Sequence, residues 1–438
     1  MNFADNLKVN SLLFRTKFMK KFFLSILTVL VLGGHFLSAT SSFSAVVAGN
    51  TGIEFDNFDN SEKDFKIPIS AFAAVQFDFA EKFTLRGEMD FFSDGNSISA
   101  FDGNEFLKAE GGNTSLSLHE LSFIYTKRAI KSTHFFSAFL GYHEPIGTDT
   151  FLMRQFGCDP ISSSLTKSFS NISGIPLYYN SGLGISYFSR LEKAPLSLGG
   201  SLCFFKNDIE GFDASGARTL NIDFRLATSF PVITADLGFG FGFPLENDFD
   251  FIDKEEEYSI SIRVKDVFYN FGINMLLGNK YGHGLLLQFG MKNFSLGKKS
   301  TSPNSRVTFM LEPRLRFRTF KLNFAVYSFE EKNVKKTLYL VDPLGVGLTV
   351  EFDSIPAKIA HISAGFHLVA SVDKEIRDDF SFDFDISDLN FYVSPFVDIP
   401  LSSSMSINIM GQIGLQNLLG GDGFDLKIKA MVGFKKQF

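Results

Sequence analysis

Three arginines at alternate positions are the residues of this chain whose types and spacing most directly suggest chemistry. Arg314, Arg316 and Arg318 alternate with Leu315 and Phe317. Because successive side chains of a β-strand point to opposite faces, a strand here would carry the guanidinium groups on one face and the apolar pair on the other. An arginine facing lipid at the centre of a bilayer costs about 2–4 kcal/mol. The spacing therefore predicts a ladder on a water-filled side, where it would either guide anionic solutes or form ion pairs with carboxylates. Further candidates for such inner faces are Arg225, Arg263 and Lys265, with Asp223 and Glu312 as carboxylate partners.

The segment from Glu144 to Asn180 is the longest connection between candidate strands, and it mixes turn-forming and apolar residues. Pro145, Gly147 and a serine run at 162–164 are typical of a loop. Loops of this length are usually functional or disordered. Its apolar residues argue against full solvation, so we expect a pore constriction, a lid over the mouth, or a surface loop with its own apolar cluster. Those residues are Ile146, Phe151, Leu152, Met153 and Phe156.

Three glycines, Gly238, Gly240 and Gly242, form a G-x-G-x-G run that resembles a fragment of a nucleotide-binding loop. They lie inside an alternating segment, however, between Leu237 and Phe243. A spacing of two places all three on one strand face, so the pattern indicates a close backbone approach by a loop or plug.

The histidines do not form a set with metal-binding or catalytic spacing. His361 and His367 would share a strand face, but six residues span about 20 Å at the rise of 3.3 Å per residue, which is too far for one zinc ion. His119, His134 and His143 are scattered along the chain. The sequence therefore predicts no enzyme, no metal site and no cofactor.

The elements that must position these residues show a period of two. At the C-terminus, apolar residues occupy even positions and polar residues odd ones, which is the pattern of a strand with one apolar and one polar face. The apolar residues there are Phe424, Leu426, Ile428, Ala430, Val432, Phe434 and Phe438. The same alternation recurs in five other segments, at 67–79, 83–91, 220–226, 307–318 and 346–352, and no long segment has the helical period.

Alternation would also fit a soluble β-sandwich, but the strands here are long. Sandwich strands usually have about five or six residues, whereas a tilted membrane span needs about 9–11. The apolar faces are rich in Phe and Leu, and the opposite faces carry Arg, Asp and Glu at mid-strand. This combination suits a lipid-facing outside and a wet interior.

Seventeen candidate strands follow from the alternation. They are 67–79, 83–92, 115–127, 134–143, 181–190, 197–206, 217–229, 232–243, 258–276, 284–293, 305–318, 320–330, 336–352, 358–371, 389–399, 404–412 and 423–438. Single-chain bacterial barrels usually have an even number of strands, with long loops outside. If the chain starts on the periplasmic side, outside loops follow strands of odd number. The long connections 93–114, 144–180 and 244–257 do so only if one more strand, at 46–56, comes first. We therefore predict an all-β fold, a closed antiparallel transmembrane β-barrel of about 16–18 strands.

The N-terminus has the features of a secretory signal peptide. Basic residues precede an apolar run at 22–32, which is shorter than the roughly 20 residues of a membrane-spanning helix. We expect the signal peptide to occupy residues 1–45 and residues 46–438 to form one domain. An alternative is that the true start of translation is Met19 and that residues 1–18 are an over-extended gene start. Candidate cleavage points follow Ser44, Ala45 and Ala48.

Composition and charge exclude several classes of protein. The 438 residues are 45% hydrophobic and 15% aromatic, which excludes wholesale disorder. Residues 1–45 hold five basic residues and one acidic residue, so their removal changes the net charge from −6 to −10. An exported acidic chain is poorly suited to nucleic acid. The only cysteines, Cys158 and Cys203, could pair in an oxidising compartment or remain two thiols.

The last strand carries a family resemblance. With Gly433 and the terminal Phe438 it resembles the C-terminal strand of bacterial outer-membrane β-barrel proteins, although Lys436 stands where that class prefers an apolar residue. The resemblance implies an outer-membrane location, contact with outer-membrane lipid, and recognition of Gly433 and Phe438 by the barrel-insertion machinery.

Two classes of function are compatible with such a barrel. The first is a porin-like channel for small solutes, with a transporter of hydrophobic substrates of the fatty-acid type as a variant. That variant family has an N-terminal hatch with an Asn-Pro-Ala motif, which this sequence lacks. The second is a surface adhesin or structural anchor that uses its external loops. A wide charged lumen would favour the channel, and a plugged lumen would favour the adhesin.

Overall fold

The computed structural model is built almost entirely of antiparallel strands. It describes residues 42–56, 64–79, 81–93, 114–168, 174–206, 218–247, 260–262, 267–279, 281–294, 307–356, 361–372, 389–416 and 425–438. The strands are β1 (Ser42–Asp56), β2 (Asp64–Lys66), β3 (Ile69–Phe79), β4 (Phe83–Ser93), β5 (Thr114–Arg128), β6 (Ser132–Tyr142), β7 (Ser181–Leu191), β8 (Leu196–Lys206), β9 (Arg218–Phe230), β10 (Ile233–Asn247), β11 (Ile260–Ile262), β12 (Phe268–Gly278), β13 (Gly284–Phe294), β14 (Val307–Arg316), β15 (Phe320–Ser328), β16 (Leu344–Pro356), β17 (His361–Val372), β18 (Asn390–Ser402), β19 (Met405–Gln416) and β20 (Asp425–Gln437).

The sheet closes on itself because β1 is paired along both edges. It runs antiparallel to β3 through pairs such as Val47↔Ala73, and antiparallel to β20 through pairs such as Ala48↔Lys435. At this junction the backbone N–H of Phe438 donates to the carbonyl oxygen of Ala45 at 2.8 Å. Apart from the three-residue strands β2 and β11, eighteen strands surround the barrel within the described residues. The predicted closed antiparallel barrel is confirmed, and β1 supplies the strand expected at 46–56.

Connections alternate strictly between long and short along the chain, which gives the barrel two different rims. The strand ends at one rim, called the short-turn rim, are joined through the short connections 80–82, 129–131, 192–195, 231–232, 279–283, 317–319, 357–360 and 403–404. The strand ends at the other rim, called the long-loop rim, are joined through the longer connections 57–68, 94–113, 143–180, 207–217, 248–267, 295–306, 329–343, 373–389 and 417–424. The first and last strands meet at the short-turn rim. In bacterial barrels the long loops lie outside the cell and the short turns face the periplasm.

The predicted alternation of faces is clearest on β9. Phe224 and Leu226 point outward and are 55% and 42% exposed, whereas Asn221 on the inner face is buried. Exposed apolar side chains recur on the outward faces around the barrel. Examples are Leu85, Phe123, Leu140, Ile185, Leu202, Phe239, Leu311, Phe324, Val346, Val393, Ile409 and Val432. An outward apolar band and a polar interior are what a bilayer requires of a barrel.

Several predicted strands differ in their bounds from the structure, and three of these differences affect the residues discussed below. The segment predicted as one strand at 258–276 contains two, β11 and β12. The strand predicted at 336–352 begins only at Leu344, because the residues before it fold into the barrel. The strand predicted to reach residue 318 ends at Arg316. There the backbone N–H of Phe317 donates to the carbonyl of Phe320 at 2.9 Å and closes a turn.

Candidate functional site

The connection at 143–180 is called here the first inner loop, and its described part lies inside the barrel. Its described residues are 143–168 and 174–180, and it contains a helix at Thr150–Phe156. Phe151 in this helix is fully buried, with its ring centroid 4.8 Å from that of Phe188 on the inner face of β7. On the far side of the lumen, Lys167 Nζ lies 2.9 Å from the carboxylate of Asp398 on β18. The loop therefore crosses the lumen, as the interior alternative of the sequence analysis proposed.

A second inner loop, residues 329–343, also folds into the barrel and contains a short helix at Glu331–Val334. The backbone N–H of Leu338 donates to the carbonyl of Lys167 at 2.9 Å, and Asn333 Nδ2 donates to the carbonyl of Pro176 at 3.2 Å, so the two loops contact each other. Gln412 on β19 donates to the carbonyl of Tyr339 at 2.9 Å. Within the described ranges no helix is long and apolar enough to cross a membrane. Apolar side chains of both loops form a buried core within the lumen: Phe151, Leu152, Ile161, Leu165, Ile175, Leu177, Phe329, Val334, Leu338, Tyr339 and Leu340.

Arg154 connects the first inner loop to the inner faces of β4 and β5. Its guanidinium lies 3.0 Å from Glu120 and 3.4 Å from Glu144, and it also bonds to Glu88. Burial alone would lower the pKa of Arg154, but the three carboxylates raise it overall. Removing one partner of a buried ion-pair network typically costs about 3–5 kcal/mol, because the remaining charges are left uncompensated. Arg154 is therefore the principal electrostatic anchor of the loop.

Asp149 organises the first inner loop from within. Its carboxylate accepts hydrogen bonds from the backbone N–H groups of Ile161 and Ser162 at 2.9 and 2.7 Å, and from Asn274 Nδ2 on β12 at 2.7 Å. Burial raises the pKa of Asp149 above its ordinary value, and these hydrogen bonds oppose the rise. A single side chain thus fixes the shape of the loop and joins it to the barrel wall.

The glycine run on β10 provides the space that the first inner loop occupies. A Cβ atom on Gly238 would clash with Ile146, and one on Gly240 would lie 2.6 Å from the hydroxyl of Tyr178. Ile146 and Tyr178 are held together, since the N–H of Ile146 donates to the carbonyl of Tyr178 at 3.0 Å. The predicted close approach of a loop is found at Gly238 and Gly240, whereas a Cβ atom on Gly242 would meet Asn221 and Phe268 of the barrel wall.

Arg225 and Asp223 both lie on the inner face of β9 and contact the first inner loop. Arg225 bonds to Asp236 on β10, with Nε 2.7 Å from Oδ1, and its guanidinium lies 3.9 Å from the ring centroid of Phe151. Asp223 accepts hydrogen bonds from the hydroxyl of Tyr178 and from Asn180. Both residues were candidates named from the sequence, and both contact the loop.

The arginine ladder is shorter than predicted. Arg314 lies on the inner face of β14, with Nε 2.7 Å from Glu312, and buried Glu312 also bonds to Ser163 of the first inner loop. Arg316 is the last residue of the strand, where its backbone N–H donates to His283 Nδ1 at 3.2 Å. Arg318 lies in the following turn, so it does not belong to the strand face. Arg263 and Lys265 lie outside the described residues.

At the C-terminus, Gly433 is buried on the inner face of β20, and Phe438 follows the strand on the outward side. Lys436, the residue that departs from the family pattern, places Nζ 4.6 Å from the ring centroid of Phe438. The role of Gly433 and Phe438 in assembly stays a prediction. Cys158 and Cys203 are free thiols. No group of three or more His, Cys, Asp or Glu suitable for a metal occurs among the described residues.

A chamber of about 130 Å³ remains between the two inner loops and the wall of β4 and β5. Glu88 and Asp90 of β4, Glu120 of β5, and Glu144 and Tyr179 of the first inner loop contribute to its lining. These strand residues lie at the middle of their strands or nearer the long-loop rim, so the chamber lies in that part of the barrel.

The anchor of the second inner loop is expected to weaken in acid. Glu330 lies 3.3 Å from Lys292 on β13 and 3.1 Å from Lys332. Burial alone would raise the pKa of Glu330, but the two ammonium groups outweigh burial and hold the pKa below its ordinary value of 4.5. The folded pKa therefore lies below the unfolded one. The stabilisation is fully present above pH 4.5 and is lost as the pH falls through the folded value.

We expect amide hydrogen exchange in residues 329–343, corrected for intrinsic rates, to accelerate below pH 4.5 in the wild type. Glu330→Gln should be less protected already at neutral pH, by roughly 1–3 kcal/mol, and should lose much of this pH dependence. Glu331→Gln is the matched control, because its partner Lys335 is largely exposed and such surface pairs contribute little. Equal pH dependence in Glu330→Gln and the wild type would contradict this role.

Comparison with known proteins finds similar solved structures but no family. The sequence matches no protein-family model and no curated protein. Similar solved structures include a mutant porin of Rhodopseudomonas blastica, with 10% identity, a TM-score of 0.42, and coverage of 91% of this chain and 100% of that one. OmpF of Salmonella typhi has 12% identity and a TM-score of 0.38, with coverages of 91% and 97%. OprB of Pseudomonas putida has 10% identity and a TM-score of 0.40, with coverages of 91% and 94%. At such values, function must be inferred from the geometry of this chain.

Proposed function

We propose that this chain lies in a bacterial outer membrane and passes small polar solutes through a lumen narrowed by its two inner loops. The observation that carries the proposal is the joint arrangement of an apolar exterior and a charged interior. Exposed Phe224 and Leu226 alternate on β9 with the inward residues Asp223 and Arg225. Charged and polar groups on a lumen wall suit aqueous passage rather than the transport of hydrophobic substrates.

The inner loops determine what kind of channel this can be. Barrels of 16–18 strands are wide enough for an aqueous channel when their interior is empty. Here the buried core that includes Phe151, Leu165, Phe329 and Tyr339 occupies much of the cross-section. The proposed channel is therefore restricted, with a conductance well below that of an open barrel of the same strand number. No catalytic step is part of the proposal.

A second candidate is supported by the same core. If the loops never leave the lumen, the barrel is a closed anchor, and the long-loop rim is its functional surface. The observation in favour is that apolar side chains such as Leu338 and Leu340 pack where a wide pore would need water. The two candidates differ in whether the resting protein conducts ions.

Planar-bilayer recordings of protein extracted from outer membranes test the proposal. We expect small, discrete conductance steps from the wild-type protein, and co-fractionation with the outer membrane as a heat-modifiable band. If the folded and inserted wild-type protein gives no conductance, whereas a variant with a released first inner loop conducts, the protein is a closed anchor and not a channel. A chain that folds as a monomer without detergent or lipid would overturn the membrane location.

A further inference from the structure

A group of polar side chains faces outward at the short-turn rim, at the ends of β5, β6 and β7. Exposed Phe123 on β5 and Phe136 on β6 identify the outward faces of these strands. Lys127 and His134 lie an even number of residues from them, so both also point outward. The two are directly opposite each other in the β5–β6 pairing, and Lys131 is exposed in the turn that joins the strands. Ammonium groups and an imidazole are therefore presented together on the side of the barrel that meets lipid.

Aromatic rings fix the level of this group relative to the bilayer. Tyr125, Phe136 and Tyr187 form a row on the outward faces of β5, β6 and β7, with ring centroids 6.2 and 4.9 Å apart. Such aromatic residues lie at the boundary between the hydrocarbon core and the headgroups. Lys127 is two residues nearer the rim than Tyr125, about 7 Å further along the strand. Its ammonium group therefore lies at the level of the lipid phosphates.

His134 holds two hydroxyl groups at the same level. One hydrogen bond of 2.9 Å joins its Nδ1 to the hydroxyl of Tyr187, and another of 2.9 Å joins its Nε2 to the hydroxyl of Ser132. In a neutral imidazole one ring nitrogen donates and the other accepts, so one of the two hydroxyls keeps a proton that it can donate elsewhere. A protonated ring donates through both nitrogens and leaves both hydroxyl protons for an outside acceptor. The arrangement thus provides a positioned hydrogen-bond donor beside Lys127.

The charge balance of this part of the rim is positive when the neighbouring hairpins are included. Asp78 points into the barrel, where it accepts a hydrogen bond from Thr84 at 2.6 Å, and Glu192 bonds to Thr133 on the inner face of β6. Neither carboxylate is therefore directed towards the outward lysines. Over the described residues of 77–85, 126–134 and 189–198, the cations are Lys82, Lys127, Arg128, Lys131, Arg190 and Lys193, and the carboxylates are Asp78, Glu81 and Glu192. Such an excess of positive charge attracts anions.

We propose that the outward face formed by Lys127, Lys131, Ser132, His134 and Tyr187 binds an anionic phospholipid of the leaflet that surrounds the short-turn rim. The ammonium groups supply the charge that an anionic headgroup requires, and the hydroxyl groups donate to a phosphate oxygen. The aromatic row packs against the first part of the acyl chains. The site rests on the proposed membrane location, but it does not depend on the passage of solutes.

Dihexanoyl-phosphatidylglycerol and dihexanoyl-phosphatidylcholine have the same acyl chains and differ in net charge, so they separate headgroup recognition from general lipid contact. Each is titrated, below its micelle concentration, into the full-length protein in a nonionic detergent, with calorimetry and native mass spectrometry as readouts. We expect the phosphatidylglycerol to bind more tightly. A lysine near an anionic surface contributes about fivefold in affinity, so the double variant Lys127→Gln, Lys131→Gln should bind this lipid about 25-fold more weakly. Its affinity for the phosphatidylcholine should not change.

Arg318→Gln is the matched control, because it removes an exposed cation from another turn of the same rim. It should bind phosphatidylglycerol like the wild type, and heat-modifiable migration on gels shows that both variant proteins are folded. Equal losses in the double variant and in Arg318→Gln would overturn the site, since binding would then follow the charge of the whole rim. Equal affinity of the wild type for the two lipids, or no loss in the double variant, would overturn it as well.

Two further results identify the ligand and separate this site from the channel. Glycerol 3-phosphate should bind far more weakly than the phosphatidylglycerol, and equally tight binding would contradict a lipid site. Conduction is not needed for any of these readouts, so a silent barrel with the expected lipid selectivity loses the channel and retains the site. A conducting barrel without that selectivity loses the site and retains the channel.

Discussion

Arg154→Glu is expected to release the first inner loop from the barrel wall and convert small conductance steps into large ones. The substitution places a fourth carboxylate beside Glu88, Glu120 and Glu144, which the guanidinium now holds. Losing one partner of a buried network costs about 3–5 kcal/mol. At tenfold per 1.4 kcal/mol, the population with the loop displaced should rise roughly 10²- to 4 × 10³-fold. Open probability and step size in planar bilayers measure the change.

Two further variants separate loop release from general damage. Lys193→Glu makes the same kind of charge reversal in an exposed turn at the short-turn rim and should conduct like the wild type. Asp149→Ala removes the internal hydrogen bonds to Ile161 and Ser162, so it should open the lumen by an independent route. All three proteins should keep heat-modifiable migration on gels. A folded Arg154→Glu protein with wild-type steps would show that the loop does not depend on this anchor.

Phe438→Asp is expected to remove most of the protein from the outer membrane. Phe438 is outward-facing and 57% exposed, and its backbone hydrogen-bonds to Ala45 where the last strand meets the first. The substitution removes the terminal aromatic group that the family resemblance assigns to recognition by the insertion machinery. It also places a carboxylate on the lipid-facing side. Quantitative immunoblots of outer-membrane fractions measure the effect. A host strain that lacks a periplasmic protease separates changes in synthesis from changes in turnover.

Phe317→Asp is the matched control for this experiment. Phe317 is also exposed at the short-turn rim and has the same side chain, but it lies in a turn far from the end of the chain. Equal losses in the two variants would attribute the effect to lipid contact alone. If the Phe438→Asp protein is as abundant in the outer membrane as the wild type, the terminal residue is not part of the assembly signal.

The barrel was predictable because strand alternation is a local property of the sequence. Leu220, Ile222 and Leu226 alternate with polar residues, and such a pattern specifies which side of β9 meets lipid whatever its neighbours are. The strand before residue 67 could also be predicted, because without it the long connections would not follow strands of odd number. A shift by one residue would have exchanged the two faces, and no such shift occurs between Leu220 and Leu226.

The second inner loop was missed because its sequence is ambiguous. Residues 338–341 form a continuous apolar run, Leu-Tyr-Leu-Val, and a run of that length fits a buried strand as well as any other buried segment. Asp342 and Pro343, which follow immediately, were the available signal that a strand does not continue there. The run is buried by the first inner loop and by the barrel wall, and neither contact can be read from its own residues.

Partner choice was the least predictable part of the site. Arg225 was placed on the inner face of its strand, but its contact with Phe151 joins residues far apart in the chain. Arg154 was not singled out, because it lies in a loop to which no periodicity assigns a face. Its carboxylate partners Glu88 and Glu120 belong to two different strands, 66 and 34 residues away. Such pairs are fixed only when the whole barrel is assembled.

The pairing of β1 with β20 makes a seam between residues from opposite ends of the polypeptide. Val46 faces Gln437 across it, so no truncated chain that lacks its final strand can complete the cylinder. Closing so long a loop adds little thermodynamic cost, because each doubling of loop length adds only about 0.6 kcal/mol. The delay is kinetic, since contacts of large sequence separation form slowly. Until the seam forms, β1 and β20 both present unpaired backbone edges, and an insertion pathway that captures the C-terminal strand would shield one of them from aggregation.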